Sequence, residues 1–197
     1  MKINKLLKAT MISLALFGSF YANAAGRQFH FRTGMIKGSY SGPVNTSFST
    51  FPTIELEAEL FYSSTVSTII KSVFAMDFGK AKVFYSGVAG GQRFYFSGPS
   101  MYFNKSEGDF EIQSYNPHRF FGGYEVGIAQ VLVQEFTSAF SIVGSVAEFT
   151  GTFGYNYQLT NHMGLEAVVS FGYGLGFTTV AVNGFNMRFM GGVSYYF

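Results

Sequence analysis

From Ala167 to Met187 the chain carries no Asp, Glu, Lys or Arg. A stretch of that length raises the question of a membrane-crossing helix, which needs about 20 apolar residues. Gly172, Gly174, Gly176 and Gly184 interrupt it, and glycine weakens a helix interior. The order Phe171-Gly172-Tyr173-Gly174-Leu175-Gly176-Phe177 has a period of two. A helix would scatter its large apolar residues around the circumference, whereas a strand puts them all on one face. This segment is therefore a strand that is apolar on one side.

The same alternation runs the length of the chain. Phe29, Phe31, Thr33 and Met35 take one parity, and Gln28, His30, Arg32 and Gly34 the other. Ile54, Leu56, Ala58, Leu60 and Tyr62 alternate with Glu55, Glu57, Glu59 and Phe61. Phe185, Met187, Phe189, Val193, Tyr195 and Phe197 alternate with Asn186, Arg188, Met190, Ser194 and Tyr196. The pattern predicts eight strands, over 27–37, 52–62, 67–78, 81–96, 119–131, 142–159, 164–176 and 184–197. Most exceed the roughly 9–11 residues that a tilted strand needs to cross a bilayer. Strands of soluble sheets average about five or six, and so many exposed Phe and Tyr would be an aggregation hazard in water. In lipid those side chains face their own solvent, and the backbone groups must pair internally, so the sheet must close. The predicted fold class is all-β: a transmembrane, antiparallel, up-and-down β-barrel. Tyr62, Tyr95, Tyr124, Tyr157 and Tyr195 fall near strand ends, where an interfacial girdle would sit.

Composition narrows the function classes. The 197 residues include no cysteine, which excludes a disulfide scaffold, a Cys-ligated metal and a Cys nucleophile. Hydrophobic residues at 48% and charged residues at 12% exclude a disordered chain. Residues 1–24 read as a secretory signal peptide: Lys2, Lys5 and Lys8 precede an apolar run from Met11 to Tyr21, and Ala22-Asn23-Ala24 is an A-x-A cleavage site. The mature chain, 25–197, would begin at Ala25, with Ala24 and Ala25 flanking the cut. Loss of the three lysines leaves ten basic residues against 11 acidic ones, a net charge of −1. A nucleic-acid partner is not expected without a basic patch.

The chain resembles the small eight-stranded outer-membrane barrels, the group of the OmpA transmembrane domain and OmpX. The resemblance rests on the exported N-terminus, the long alternating strands, and the final run Phe189-Met190-Gly191-Gly192-Val193-Ser194-Tyr195-Tyr196-Phe197. Its terminal aromatic, with Phe189, Val193 and Tyr195 at alternate positions before it, resembles the signal read by the barrel-insertion machinery. Gly154-Tyr155-Asn156-Tyr157-Gln158-Leu159-Thr160-Asn161-His162 resembles a strand-and-turn phrase of the same group. The resemblance implies a bacterial outer-membrane location and lipid and lipopolysaccharide as surroundings. It also implies assembly by periplasmic chaperones and the insertion machinery, in a monomer. No peptidoglycan-binding domain is expected after Phe197.

With both ends periplasmic, the outside loops are expected near 38–51, 79–80, 132–141 and 177–183, and the inside turns near 63–66, 97–118 and 160–163. Gly38, Ser39, Ser41, Gly42, Pro43, Asn45 and Thr46 give the first loop a turn-rich composition. The 97–118 segment reads as a small periplasmic hairpin, with a ten-stranded barrel as the alternative.

Inward parity collects Glu55, Glu57, Glu59, Glu125, Glu148 and Glu166, together with Arg32, Lys71, Arg93 and Arg188, and His30 nearby. An eight-stranded barrel is just wide enough for side chains to fill, so these charges are desolvated and must pair. Six acids against four bases leaves two carboxylates in excess before histidine. Arg32 and Lys71, on the strands flanking Glu55 to Glu59, are the expected nearest partners. Glycines at 87, 90 and 91, at 122, 123 and 127, and at 172, 174 and 176 would make room for the long charged chains.

The expected role is structural or surface-interacting in the cell envelope. A narrow pore for ions or small solutes is the alternative, and a lipid A-modifying enzyme the second. No cofactor or metal site is expected, since His30 and Glu57 alone do not make one. A catalytic role is not expected either: His30, His118 and His162 all fall near the periplasmic side, and an Asp/His protease site would have only Asp77 and Asp109 to draw on.

Overall fold

The computed structural model describes residues 26–41, 46–63, 65–77, 82–96, 117–134, 141–160, 162–177 and 183–197. The signal segment with Ala24 and Ala25, the proposed 97–116 part of the periplasmic hairpin and Asp109 lie outside the described residues. The strands are β1 (Gly26–Ser41), β2 (Thr46–Phe61), β3 (Val66–Asp77), β4 (Lys82–Tyr95), β5 (His118–Gln134), β6 (Ser141–Gln158), β7 (Met163–Gly176) and β8 (Asn183–Tyr196).

Each strand pairs antiparallel with its neighbour in sequence, and β8 returns to β1 to close the barrel. β4 pairs directly with β5, so the closed wall has eight strands and the ten-stranded alternative is set aside. Every strand has a partner on both sides, and a closed wall of this kind leaves no edge for lipid to desolvate. Both ends of the described chain lie at one end of the barrel, here the terminal end; the opposite end is the far end.

Alternation sets the two surfaces. Outward positions are mostly large and apolar, as at Phe149, Phe153, Phe171, Tyr173, Phe189 and Tyr195, all exposed. Tyr62, Tyr124, Tyr157 and Tyr195 are exposed on the outer surface, as a girdle requires, although Tyr124 lies well inside its strand; Tyr95 turns inward and is buried. Tyr95 shares the parity of Arg93, and that parity decides its direction. Gly90 and Gly122 likewise fall on the outward parity of their strands, opposite Ile70 and Phe153. They make no room inside.

Two boundaries differ from expectation. β1 runs to Ser41 and β2 starts at Thr46, so residues 38–41 and 46–51 of the expected loop are strand, and 42–45 lie outside the described residues. Gly38 is a strand residue because a ring packs on it: a Cβ there would stand 2.7 Å from Phe48 Cζ. Between Gly34 and Ile36 the β2 partner jumps from Thr53 to Thr50. Both threonines are buried, so positions 51 and 52 form a bulge. Pro52 lacks an N–H for the ladder, and a bulge is where a sheet interior tolerates it.

The lumen is layered. At the far end Ile36, Tyr40, Phe48, Val73, Ala75, Tyr85, Ala129, Val131 and Val146 form a buried apolar cluster. At the terminal end Phe61, Tyr95, Phe121, Val168 and Met190 form a smaller one. Most of the charged residues lie between the far cluster and this one, but along their own strands Glu166 and Arg119 lie on the terminal side of Val168 and Phe121.

Candidate functional site: the charged lumen

All ten residues expected in the lumen network are buried and inward. Arg32 is its hub. Its Nη1 donates to Glu55 Oε1 at 2.5 Å and to Glu57 Oε2 at 3.0 Å. Its Nη2 donates to Glu57 Oε1 at 2.9 Å, and its Nε to Glu166 Oε2 at 2.6 Å. One guanidinium thus serves three carboxylates, which the five-donor planar fork of arginine allows and a lysine would not. Arg93 adds a second fork, with Nη2 donating to Glu57 Oε2 and Nη1 to Glu59 Oε2, both at 2.8 Å. Glu59 Oε1 also accepts from Tyr95 Oη at 2.6 Å and from Ser67 Oγ.

His30 completes this cluster. Its Nδ1 is hydrogen-bonded to Glu166, and its Nε2 lies 2.8 Å from Glu59 Oε2 and 3.5 Å from Glu57 Oε1. Glu59 therefore looks to Arg93 and His30, and not to Arg32 or Lys71 as its flanking position suggested. The other two expectations hold: Arg32 meets Glu55 and Glu57, and Lys71 Nζ donates to Glu55 Oε2 at 3.1 Å.

Arg32 reaches Glu166 across a whole strand. Gly192 on β8 stands opposite Arg32 on one side and opposite Glu166 on the other. A Cβ at Gly192 would lie 2.1 Å from the Phe31 carbonyl oxygen and 2.8 Å from Arg32 Cγ. The missing side chain is the corridor through which the arginine passes.

Toward the far end the contacts loosen. Lys71 Nζ lies 2.7 Å from Glu125 Oε2, and Thr152 Oγ1 donates to Glu125 Oε1 at 2.9 Å. Glu148 accepts mainly from neutral groups: Tyr85 Oη at 2.9 Å, Asn186 Nδ2 at 2.8 Å and Thr150 Oγ1 at 3.0 Å. Arg188 stands off at 3.5 Å from Glu148 and 3.7 Å from Glu125, and its Nε has no hydrogen-bond partner.

Sequence reasoning missed Arg119. It is 1% exposed and inward, on the parity of Glu125 in the same strand. Parity alone could have found it. With Arg119 the described lumen holds six glutamates against five permanent cations, and the excess falls to one. His30, with a carboxylate oxygen facing each ring nitrogen, makes the sum zero when it carries both protons. The network then needs neither lumenal water nor a protonated glutamate to balance its charge.

His30, Glu57 and Glu59 place ligand atoms within 4.8 Å of one another, a grouping that a metal ion can use. Here Glu57 already holds two guanidiniums and Glu59 one, so the trio is an ion-pair centre, and a cation would have to displace arginines. His118 and His162 lie among rings outside the lumen. His118 Nδ1 is 2.6 Å from Tyr155 Oη, and the His162 ring stacks on Tyr195. Phe189, Val193, Tyr195 and Phe197, the residues of the expected insertion signal, all point outward on the strand that closes the barrel.

No protein-family model matches the chain, and no curated protein matches it in sequence. Its shape is shared more widely. Neisserial surface protein A (NspA) superposes with a TM-score of 0.62 at 12% identity, over 86% of this chain and 97% of that one. OprG of Pseudomonas aeruginosa gives 0.52 at 13% identity, over 89% and 97%. Ail, the attachment invasion locus protein of Yersinia pestis, gives 0.50 at 12% identity, over 86% and 98%. At such identities the likeness is one of fold, and the fold is that of the small eight-stranded outer-membrane barrels.

Proposed function

We propose that the protein is a closed outer-membrane barrel with a structural or surface-interaction role in the cell envelope, and that its lumen is a plug and not a conduit. The observation that carries this reading is the layering of the interior. Buried rings cap the ion pairs at the far end, and at the terminal end Phe61, Tyr95 and Phe121 pack among them, with Arg93 over the Phe121 ring, so an ion on the axis would have to part rings and ion pairs alike. A buried ion pair adds little net stability over well-packed apolar residues, but removing one partner is costly. Such a network fixes the shape of the barrel.

The far rim supports the surface role. Lys37, Ser39 and Ser41 on β1 and Ser47 and Ser49 on β2 are exposed on the outward face, beyond the apolar positions of the same strands. Polar side chains there suit a hairpin that rises out of the lipid into the headgroups of lipopolysaccharide and the medium. With the termini in the periplasm, this rim faces outside the cell.

Planar-bilayer conductance of the refolded mature chain tests the plug. Silence at neutral pH is expected, and steady channels would favour a narrow pore. The surface role has its own test, made clean by the absence of native cysteine. Ser39→Cys should react on intact cells with a membrane-impermeant maleimide. Protection there, with labelling only after lysis, would overturn the outward orientation of the rim.

A further inference from the structure

Arg119 differs from every other cation of the lumen. Arg32, Arg93, Lys71 and Arg188 each stand within ion-pair distance of a glutamate. Arg119 is as deeply buried, yet Nε, Nη1 and Nη2 all lack a hydrogen-bond partner. Its guanidinium lies 3.9 Å over the Tyr95 ring and 5.2 Å from that of Phe61. The rings take the face of the cation; on its edge the Tyr196 hydroxyl is near enough to interact, and no carboxylate pairs with it.

The neighbouring carboxylates are already committed. Glu59 is held by Arg93, His30, Tyr95 and Ser67, and Glu166 by Arg32, His30 and Asn156. Gln28 belongs to the same end layer, on β1 opposite Tyr196 and Glu59. It is 2% exposed, and both its Oε1 and its Nε2 are without partners. A buried guanidinium edge and a buried amide, both unsatisfied in one layer, are costly unless something fills the need.

We propose that this end layer holds a small inorganic anion, bound by the edge of Arg119 with the Gln28 amide as a second donor, and entering from the side of the chain termini. A monatomic or tetrahedral anion matches the chemistry: small size, negative charge, no apolar body, and acceptors for in-plane donors. The aromatic floor of Tyr95 and Phe61 excludes water from one side and strengthens the attraction.

The test uses the full mature chain refolded in detergent. Its thermal unfolding midpoint, read as loss of the folded band on unboiled gels, is measured against rising chloride or inorganic phosphate, with gluconate at matched ionic strength as reference. A saturable rise with chloride or with phosphate above the gluconate line is expected, and Arg119→Met should abolish it. Should Arg119→Met fail to refold, Gln28→Leu serves, with an expected several-fold weakening of the same response. Chloride-35 NMR provides the second readout: line broadening by the refolded protein, lost in the variant. A midpoint that follows ionic strength alone, or a response kept in full by both variants, would overturn the proposal.

Discussion

The two halves of the lumen network solve the same problem at different tightness. In the half around Arg32, Glu57 meets two guanidiniums, and Glu59 and Glu166 each meet one guanidinium and the His30 ring, all at 3.0 Å or less. Around Arg188, no carboxylate lies within 3.4 Å of the guanidinium, and tyrosine, threonine and asparagine supply most donors to Glu148. The difference teaches where the barrel is rigid. Charge-assisted, bidentate pairs fix geometry, while a ring of neutral donors satisfies a carboxylate without tying strands to one arginine. The tight half joins β1, β2, β4 and β7 through two forks; the loose half adjoins the larger apolar cluster, which there takes over the packing.

The largest expected effect is the loss of the hub. Arg32→Met should cost about 3–5 kcal/mol in urea unfolding from lipid vesicles, because three carboxylates lose a buried partner. Arg188→Met should cost clearly less; equal losses would erase the distinction between the halves. Next come the caps. Phe48→Ala at the far end and Phe121→Ala at the terminal end should each cost about 3–5 kcal/mol as cavity changes. Neither alone should conduct, since the other cap remains, whereas the double variant should show leak currents in a bilayer. A leak from either single variant would mean that one cap seals alone.

Smaller effects probe the detail. Gly192→Ala should cost about 1–3 kcal/mol, as an overpacked contact that pushes on the β1 backbone and on Arg32. No change in urea midpoint would mean that Arg32 does not cross β8 at that point. Tyr85→Phe removes one donor from Glu148 and leaves Asn186 and Thr150 in place. A loss of about 1 kcal/mol is expected, and a loss as large as that of Arg32→Met would show the loose half to be as strained as the tight one.

Much of the site was legible because strand parity is strict: a residue two positions from an inward glutamate is itself inward. That rule placed all ten network residues. Applied without exception it also places Arg119 and Tyr95, the first lost at the edge of a predicted strand, the second assigned to the girdle by position alone. The extended β1–β2 hairpin was harder to read. Gly38, Ser39 and Ser41 have turn composition, and only the Phe48 ring packed on Gly38 explains why they continue the strand. The bulge at Pro52 moves the inward parity from Thr53 to Thr50, a shift that the β1–β2 pairing reveals.

Alternation and aromatic outward faces together determined a closed barrel of long strands with a charged interior, because lipid offers no partner to an unpaired backbone group. Which acid meets which base was decided by the tertiary structure. Arg32 and Glu166 lie 134 residues apart and on strands that do not pair. They meet because closure brings β8 between β1 and β7, and because the residue of β8 between them is a glycine. Strand stagger and the space left by one absent side chain are properties of the closed wall, and no single strand contains them.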